Sequence, residues 1–116
     1  MKMIIAVIQP FVLSKTVQAL EEIEGFPGMT ISEARGFGQR KSFQAGKPVP
    51  VHLDDFTQYF RRPRLEIVAR DEMVDEIVNA VVEAARTGHR LDGMVFVLQV
   101  EQVVRIQTWK TNDAAL

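Results

Sequence analysis

The chain is predicted to fold as an α+β sandwich, with one four-stranded antiparallel sheet carrying two helices on a single face. Three observations predict this. Apolar β-branched runs alternate with amphipathic helical stretches in the order βαβ, then βαβ. A long stretch without hydrophobic period separates the two halves. At 116 residues, 47% hydrophobic and 25% charged, the chain fits one domain with a modest core.

The first strand is read in "MKMIIAVIQP", a near-continuous Ile/Val-rich run closed by Pro10. Proline cannot donate to a ladder, so it ends the strand. Ser14 is a candidate N-cap for the first helix, because its hydroxyl can accept a first-turn amide. Behind it, Val17, Leu20 and Ile23 recur at helical spacing, with Lys15, Gln18, Glu21 and Glu22 on the other side. Gly25 to Gly28 break this helix. A second strand follows in "MTISEARGFG". It ends in a Gly36-Phe37-Gly38 corner able to adopt positive φ and to let a ligand approach the backbone closely.

From Gln39 to about Arg62 no period survives, and Gly46, Pro48 and Pro50 punctuate the stretch. A loop of this length in a compact domain tends to be functional or disordered. Its aromatics exceed a linker's needs, and Phe43, Lys47, Phe56 and Tyr59 are the candidate partner contacts. "RLEIVAR" is the third strand, and Asp71 is a candidate cap for the second helix. That helix carries a Met73, Ile77, Val81 stripe widened by Val74, Val78 and Ala85, and it is expected to stop near Gly88. "MVFVLQV" reads as a central fourth strand because both of its faces are apolar, and "VVRIQ" reads as a short final strand. Two βαβ units side by side with right-handed crossovers form the split-βαβ, or ferredoxin-like, sandwich. Strands greasy on both sides leave the sheet back needing cover, which oligomerisation supplies.

Composition excludes several functions. The formal net charge of −1 argues against general nucleic-acid binding or a membrane surface. With no cysteine there is no disulfide, thiolate metal site or cysteine nucleophile. His52 and His89 are the only histidines; His52 is read as a loop surface residue, and no metal site is assigned. The longest N-terminal apolar run, Met3 to Ile8, is too short to span a bilayer or to serve as a signal h-region, so a cytoplasmic protein is expected.

Five segments, "QPFVLSKTVQAL", "GMTISEARGFG", "LEIVARDEMVDEIV", "TGHRLDGMVFV" and "DAAL", stand in the order and spacing of the PII nitrogen-regulatory proteins, which the chain resembles over nearly its whole length outside the long loop. The resemblance implies a homotrimer whose inter-subunit clefts bind adenine nucleotides, in many members with Mg²⁺ and 2-oxoglutarate. It further implies a long T-loop, here about 39–62, that docks on a target such as an ammonium channel, a metabolic enzyme or a regulator. The nucleotide-binding positions it implies are Thr30 for adenine, the Gly36, Phe37, Gly38 corner with Gln39 and Arg40, Arg62 and Arg64, then Gly88, His89, Arg90 and Gly93, and finally Arg105.

The sequence also departs from the family pattern. The T-loop lacks the Tyr-Arg-Gly-Ala-Glu-Tyr element, and Tyr59 stands in another context. In the loop where the family reads Thr-Gly-x-x-Gly-Asp-Gly-Lys, Leu91 replaces a glycine and Met94 the phosphate-binding lysine. Gln107 replaces the second arginine of an Arg-Ile-Arg element, and Gln39 and Arg40 are swapped. Each lost charged hydrogen bond costs on the order of 1.5–3 kcal/mol, or roughly ten- to hundredfold in affinity. His89, Arg90 and the Arg61, Arg62, Arg64 cluster compensate in part, although that cluster also reads as an edge-strand guard. ATP, ADP or AMP bound with reduced affinity, or another small anion, is therefore the expected effector, with no obligatory cofactor and the place of Mg²⁺ open.

The function expected is that of a PII-like regulator of nitrogen utilisation or a related process, acting on a transporter or enzyme. The alternative is a metal-tolerance or structural trimer resembling the CutA proteins. Catalysis is not expected, since an acylphosphatase-like site needs a glycine cradle and an arginine after the first strand, where this chain has "QPFVLS".

Overall fold

The computed structural model describes residues 1–36, 43–44, 47–48 and 60–116. Strands β1 (Lys2–Ile8), β2 (Thr30–Gly36), β5 (Phe60–Ala69) and β6 (Gly93–Gln99) form one sheet in the order β2-β5-β1-β6. Each neighbouring pair is antiparallel. Helices α1 (Leu13–Glu21) and α2 (Val74–Ala85) pack side by side over one face. This is the expected ferredoxin-like sandwich. A two-residue pair, β3 (Phe43–Gln44) with β4 (Lys47–Pro48), lies within the loop segment.

Alternation along the strands decides the two faces. Ile4, Ala6 and Ile8 of β1 and Leu65, Ile67 and Ala69 of β5 are buried under the helices. From α1 they meet Thr16 and Leu20, and from α2 Val74, Ile77, Val81 and Ala85. Burying each large aliphatic side chain contributes roughly 1.5–3 kcal/mol. Thr16 is the polar member of this core, and its Oγ1 donates to the Val12 carbonyl at 2.7 Å, so its hydroxyl is satisfied.

Several sequence expectations are corrected. Ser14 does not cap α1. A 3₁₀ turn over Pro10–Val12 leads directly into a helix that begins at Leu13, with Pro10 preset for the first helical position. Asp71 opens a 3₁₀ turn, but its carboxylate accepts from the Met1 amino group at 2.7 Å and caps nothing. That amino group is the first cause holding the Asp71 carboxyl below its usual value. Helix α2 ends at Ala85, short of Gly88.

Strand β5 starts at Phe60, so Phe60 to Arg62 belong to the sheet and not to the loop. Pro63 is tolerated inside β5 because the β1–β5 ladder stops at the Val7–Arg64 pair; beyond it β5 pairs with β2 alone. Flanked by β2 and β1, β5 is an inner strand up to Arg64, but at Arg61 and Arg62 it pairs with β2 alone, so the expected edge-strand guard applies only to this end of β5. Strand β6 is an edge strand and not a central one; β1 and β5 are the inner strands. "VVRIQ" forms no strand: residues 104–111 make a tight reversal closed by one Val104–Thr111 bridge, with Trp109 at φ 61°.

Candidate functional site

On the face away from the helices, β1 and β6 present Met3, Ile5 and Val7 opposite Leu98, Phe96 and Met94. This half is apolar and open, with Met94 66% exposed and Phe96 and Leu98 each 47% exposed. The half built by β5 and β2 is polar. There Arg64 donates through Nε to Glu66 at 2.9 Å, and Glu66 pairs across the sheet with Thr30.

Beside Thr30 a cavity of about 440 Å³ is lined by Met3, Gly28, Thr30, Glu66, Arg105 and Leu116, among others. The C-terminal segment makes its wall. Arg105 donates through Nε to the Ala115 carbonyl at 2.9 Å, and Arg70 donates to the Asp113 carbonyl at 2.9 Å. The "DAAL" motif is thus explained by its backbone: its carbonyls anchor two arginines, and Ala115 is buried. Thr30 and Arg105, far apart in sequence, meet in this cavity.

The second element is the loop from Thr87 to Gly93 at the far edge of the sheet. Asp92 organises it. Its carboxylate accepts from the Thr87 amide at 2.7 Å, the Gly88 amide at 2.9 Å and the Thr87 hydroxyl. The Thr87 hydroxyl, followed by the backbone amides, holds the Asp92 carboxyl below the usual aspartate range. Three further amides turn inward as well. His89 N donates to Thr87 Oγ1 at 3.4 Å, Leu91 N to His89 Nδ1 at 3.2 Å, and Asp92 N to the His89 carbonyl at 3.0 Å. Gln9 ties the loop to β1's end by donating to the Leu91 carbonyl at 2.9 Å. Gly93 then enters β6 at φ 114°, pressed against the β1 backbone. The His89 and Arg90 side chains are exposed.

The implied nucleotide positions therefore divide into two groups. Thr30, Gly36, Arg62, Arg64 and Arg105 lie on or beside β2 and β5; Gly88, His89, Arg90 and Gly93 lie at the β6 edge. Three strand spacings of roughly 4.8 Å separate the β2 and β6 edges, about 14 Å in all. Phe37, Gly38, Gln39, Arg40, Phe56 and Tyr59 lie outside the described residues, and Phe43 and Lys47 fall in β3 and β4. Sequence reasoning missed Glu66, whose signal was its place two residues after Arg64 on one strand face, and the organising role of Asp92. Among the described residues no cluster of three His, Asp or Glu side chains could hold a metal ion. Among them too, no helix is long and apolar enough to cross a membrane.

The ferredoxin-like sheet thus carries an open apolar back, an arginine-bearing cavity toward one edge and a self-bonded glycine loop at the other. The model of the family "Nitrogen regulatory protein P-II" matches residues 1–110. Similar curated proteins include the nitrogen regulatory protein P-II of Haemophilus influenzae, 40% identical over 116 residues, that of Microchaete diplosiphon, 40% over 117, and nitrogen regulatory protein P-II 1 of Escherichia coli strain K12, 38% over 116. Each alignment covers the whole of both chains. The chain belongs to the nitrogen regulatory protein P-II family, a family of signal-transduction regulators. The CutA-like alternative is not favoured.

Proposed function

We propose that the chain works as a homotrimeric regulator in the cytoplasm. In this reading it binds an adenine nucleotide or another small anionic effector in clefts between subunits, and it controls a transporter or enzyme of nitrogen utilisation or a related process through the loop between β2 and β5. The observation that carries this reading is the division of the candidate site between opposite edges of one sheet. A ligand that touches both the Thr30–Arg105 cavity and the 87–93 loop is most simply served by a second copy, whose β6 edge approaches the first copy's β2 edge. The open face of β1 and β6 supports the same assembly, because apolar residues this exposed mark an interface. The trimeric number comes from the family resemblance.

Control follows from differential affinity. An effector that binds one loop conformation better shifts the loop population, and the partner reads that population. The test is deletion of Lys41 to Gln58 across a short linker. The product is expected to keep its trimeric mass and its nucleotide binding while losing the target retained by the full chain. A deletion product that unfolds, or that still binds the target, refutes the assignment of the loop.

A further inference from the structure

We infer that Trp109 is an anchor which one copy of the chain sets into its neighbour, seated in the apolar groove between α2 and β6 beside the 87–93 loop; the inference rests on the assembly proposed above. Residues 104–111 turn back through the Val104–Thr111 bridge. Inside the turn the Trp109 amide donates to the Arg105 carbonyl at 2.9 Å and the Arg105 amide to the Lys110 carbonyl at 2.9 Å. These bonds hold Trp109 at φ 61°, a conformation that glycine adopts freely and an L side chain does not. The indole is 83% exposed, and Ile106 on the same reversal is 94% exposed. A large aromatic at a strained and wet position gains the single chain nothing. Strain of this kind points to a contact made elsewhere, and tryptophan is a favoured interface residue because it carries much apolar area and one donor.

The groove matches an indole in size and chemistry. Val82, Ala85, Met94 and Val95 line an apolar cavity of about 130 Å³, and Arg86 and Asp92 complete the lining. An aliphatic cavity of about 150 Å³ takes one aromatic ring. Val82 and Met94 are exposed in the single chain, so the cavity opens to solvent. A buried indole N–H needs an acceptor. Asp92 takes three donors from its own loop, and a carboxylate accepts about four, so one position remains. The Arg86 guanidinium suits the face of the ring.

The chain cannot fill its own groove. The groove lies at the Gly93 end of β6, whereas the reversal stands at the Gln99 end, where Arg105 lines the other cavity with Met3, Thr30 and Leu116. The seven residues of β6 put about 20 Å between the two ends. In the proposed assembly the β6 edge of one copy meets the cavity-bearing edge of another, which sets the groove of the first before the reversal of the second.

Trp109 is the only tryptophan of the chain, so its emission reports the contact directly. The experiment follows intrinsic fluorescence and acrylamide quenching of the full chain, with solution mass measured at the same concentrations. In the assembled protein the emission is expected to be blue-shifted and the quenching several-fold weaker than for free N-acetyltryptophanamide; dilution to single subunits should reverse both. Because the chain has no cysteine, Trp109→Cys/Val82→Cys should give disulfide-linked subunits on oxidation, and neither single variant should. Trp109→Gly relieves the backbone at φ 61°, so the protomer should keep its fold while the concentration for half-dissociation rises about tenfold or more. An assembled protein whose indole is quenched freely overturns the inference and leaves the assembly standing. A shielded indole without the cross-link between positions 109 and 82 overturns it too, because another surface then covers Trp109. Unchanged dissociation of Trp109→Gly likewise counts against it. A chain of single-subunit mass at every concentration overturns the assembly and this inference together.

Discussion

Gly93 joins the 87–93 loop to the sheet, and replacing it tests whether that junction is fixed by backbone contact. At φ 114° a built Cβ would stand 1.9 Å from the Val7 carbonyl oxygen, 2.9 Å from its carbon and 3.2 Å from Ile8 Cα. All three neighbours are backbone of β1, so no side chain can swing aside. Reaching even 3.0 Å requires strand movement of about 1 Å, and an L-residue at this φ adds strain of about 1–3 kcal/mol. Opening the last β1–β6 pair, Ile8 with Gly93, forfeits a further 0.5–1.5 kcal/mol or so.

Gly93→Ala is therefore expected to cost about 2–4 kcal/mol and to lower Tm by roughly 10–20 °C. Gly88→Ala is the control. Gly88 also has positive φ, 87°, but nothing lies within 4 Å of its built Cβ. Its cost is then the backbone strain alone, about 1–2 kcal/mol. Both variants are melted at one fixed protein concentration, since the stability of an oligomer depends on it. Equal Tm values for the two variants would mean that β1 yields freely, refuting a loop anchored on the strand.

Two further outcomes follow from the same geometry. Asp92's carboxyl is held low, so its contribution to loop order is present above the ordinary aspartate value of 3.8 and is lost as pH falls through its lower folded value. The amides of Thr87 and Gly88 should lose hydrogen-exchange protection in that acidic window, and in Asp92→Asn the pH dependence should vanish; protection that persists through protonation would show the loop to be held by other contacts. On the open face, Phe96→Asp is expected to leave the α2 and β1 core intact but to reduce solution mass to that of one subunit, because a carboxylate cannot be buried there unpaired. A Phe96→Asp chain of trimeric mass would move the subunit interface off this face.

The sandwich was legible because hydrophobic period alone reports which face of an element is covered. Within the apolar Met3 to Ile8 run, Ile4, Ala6 and Ile8 are core; of the Met73, Ile77, Val81 stripe, Ile77 and Val81 are core beside Val74, while Met73 is only partly buried. Where period is ambiguous the reading failed in a consistent way. Strand β6 looks central since both of its faces are apolar, yet it lies at an edge; its outer face, which the sequence reading gives to oligomerisation, is open in the single chain. Phe60 to Arg62 read as loop, yet they extend β5, with Pro63 accommodated where the ladder to β1 has ended. Ser14 and Asp71 have the chemistry of caps, but a 3₁₀ turn shifts one helix start and the chain's amino group claims the other carboxylate. In the site, Thr30 and Arg105 were found through motif resemblance, whereas the anchoring carbonyls of the tail carry no side-chain signature.

The two halves of the site differ in how they are built, and that difference bears on regulation. The 87–93 loop is satisfied by itself: carboxylate, hydroxyl, imidazole and amides close on one another without a ligand. It can present Arg90 rigidly without gaining order on binding. The opposite half depends on segments that converge from β2, β5 and the C-terminal tail, and the long loop springs from the ends of β2 and β5. A ligand seated between them pays its ordering cost mainly on the side that carries the loop. In the proposed trimer, effector binding would thereby be coupled to the loop proposed to meet the partner, while the neighbouring subunit would supply the other wall. A design with both halves flexible would spread the same binding energy over two responses and weaken the signal at the loop.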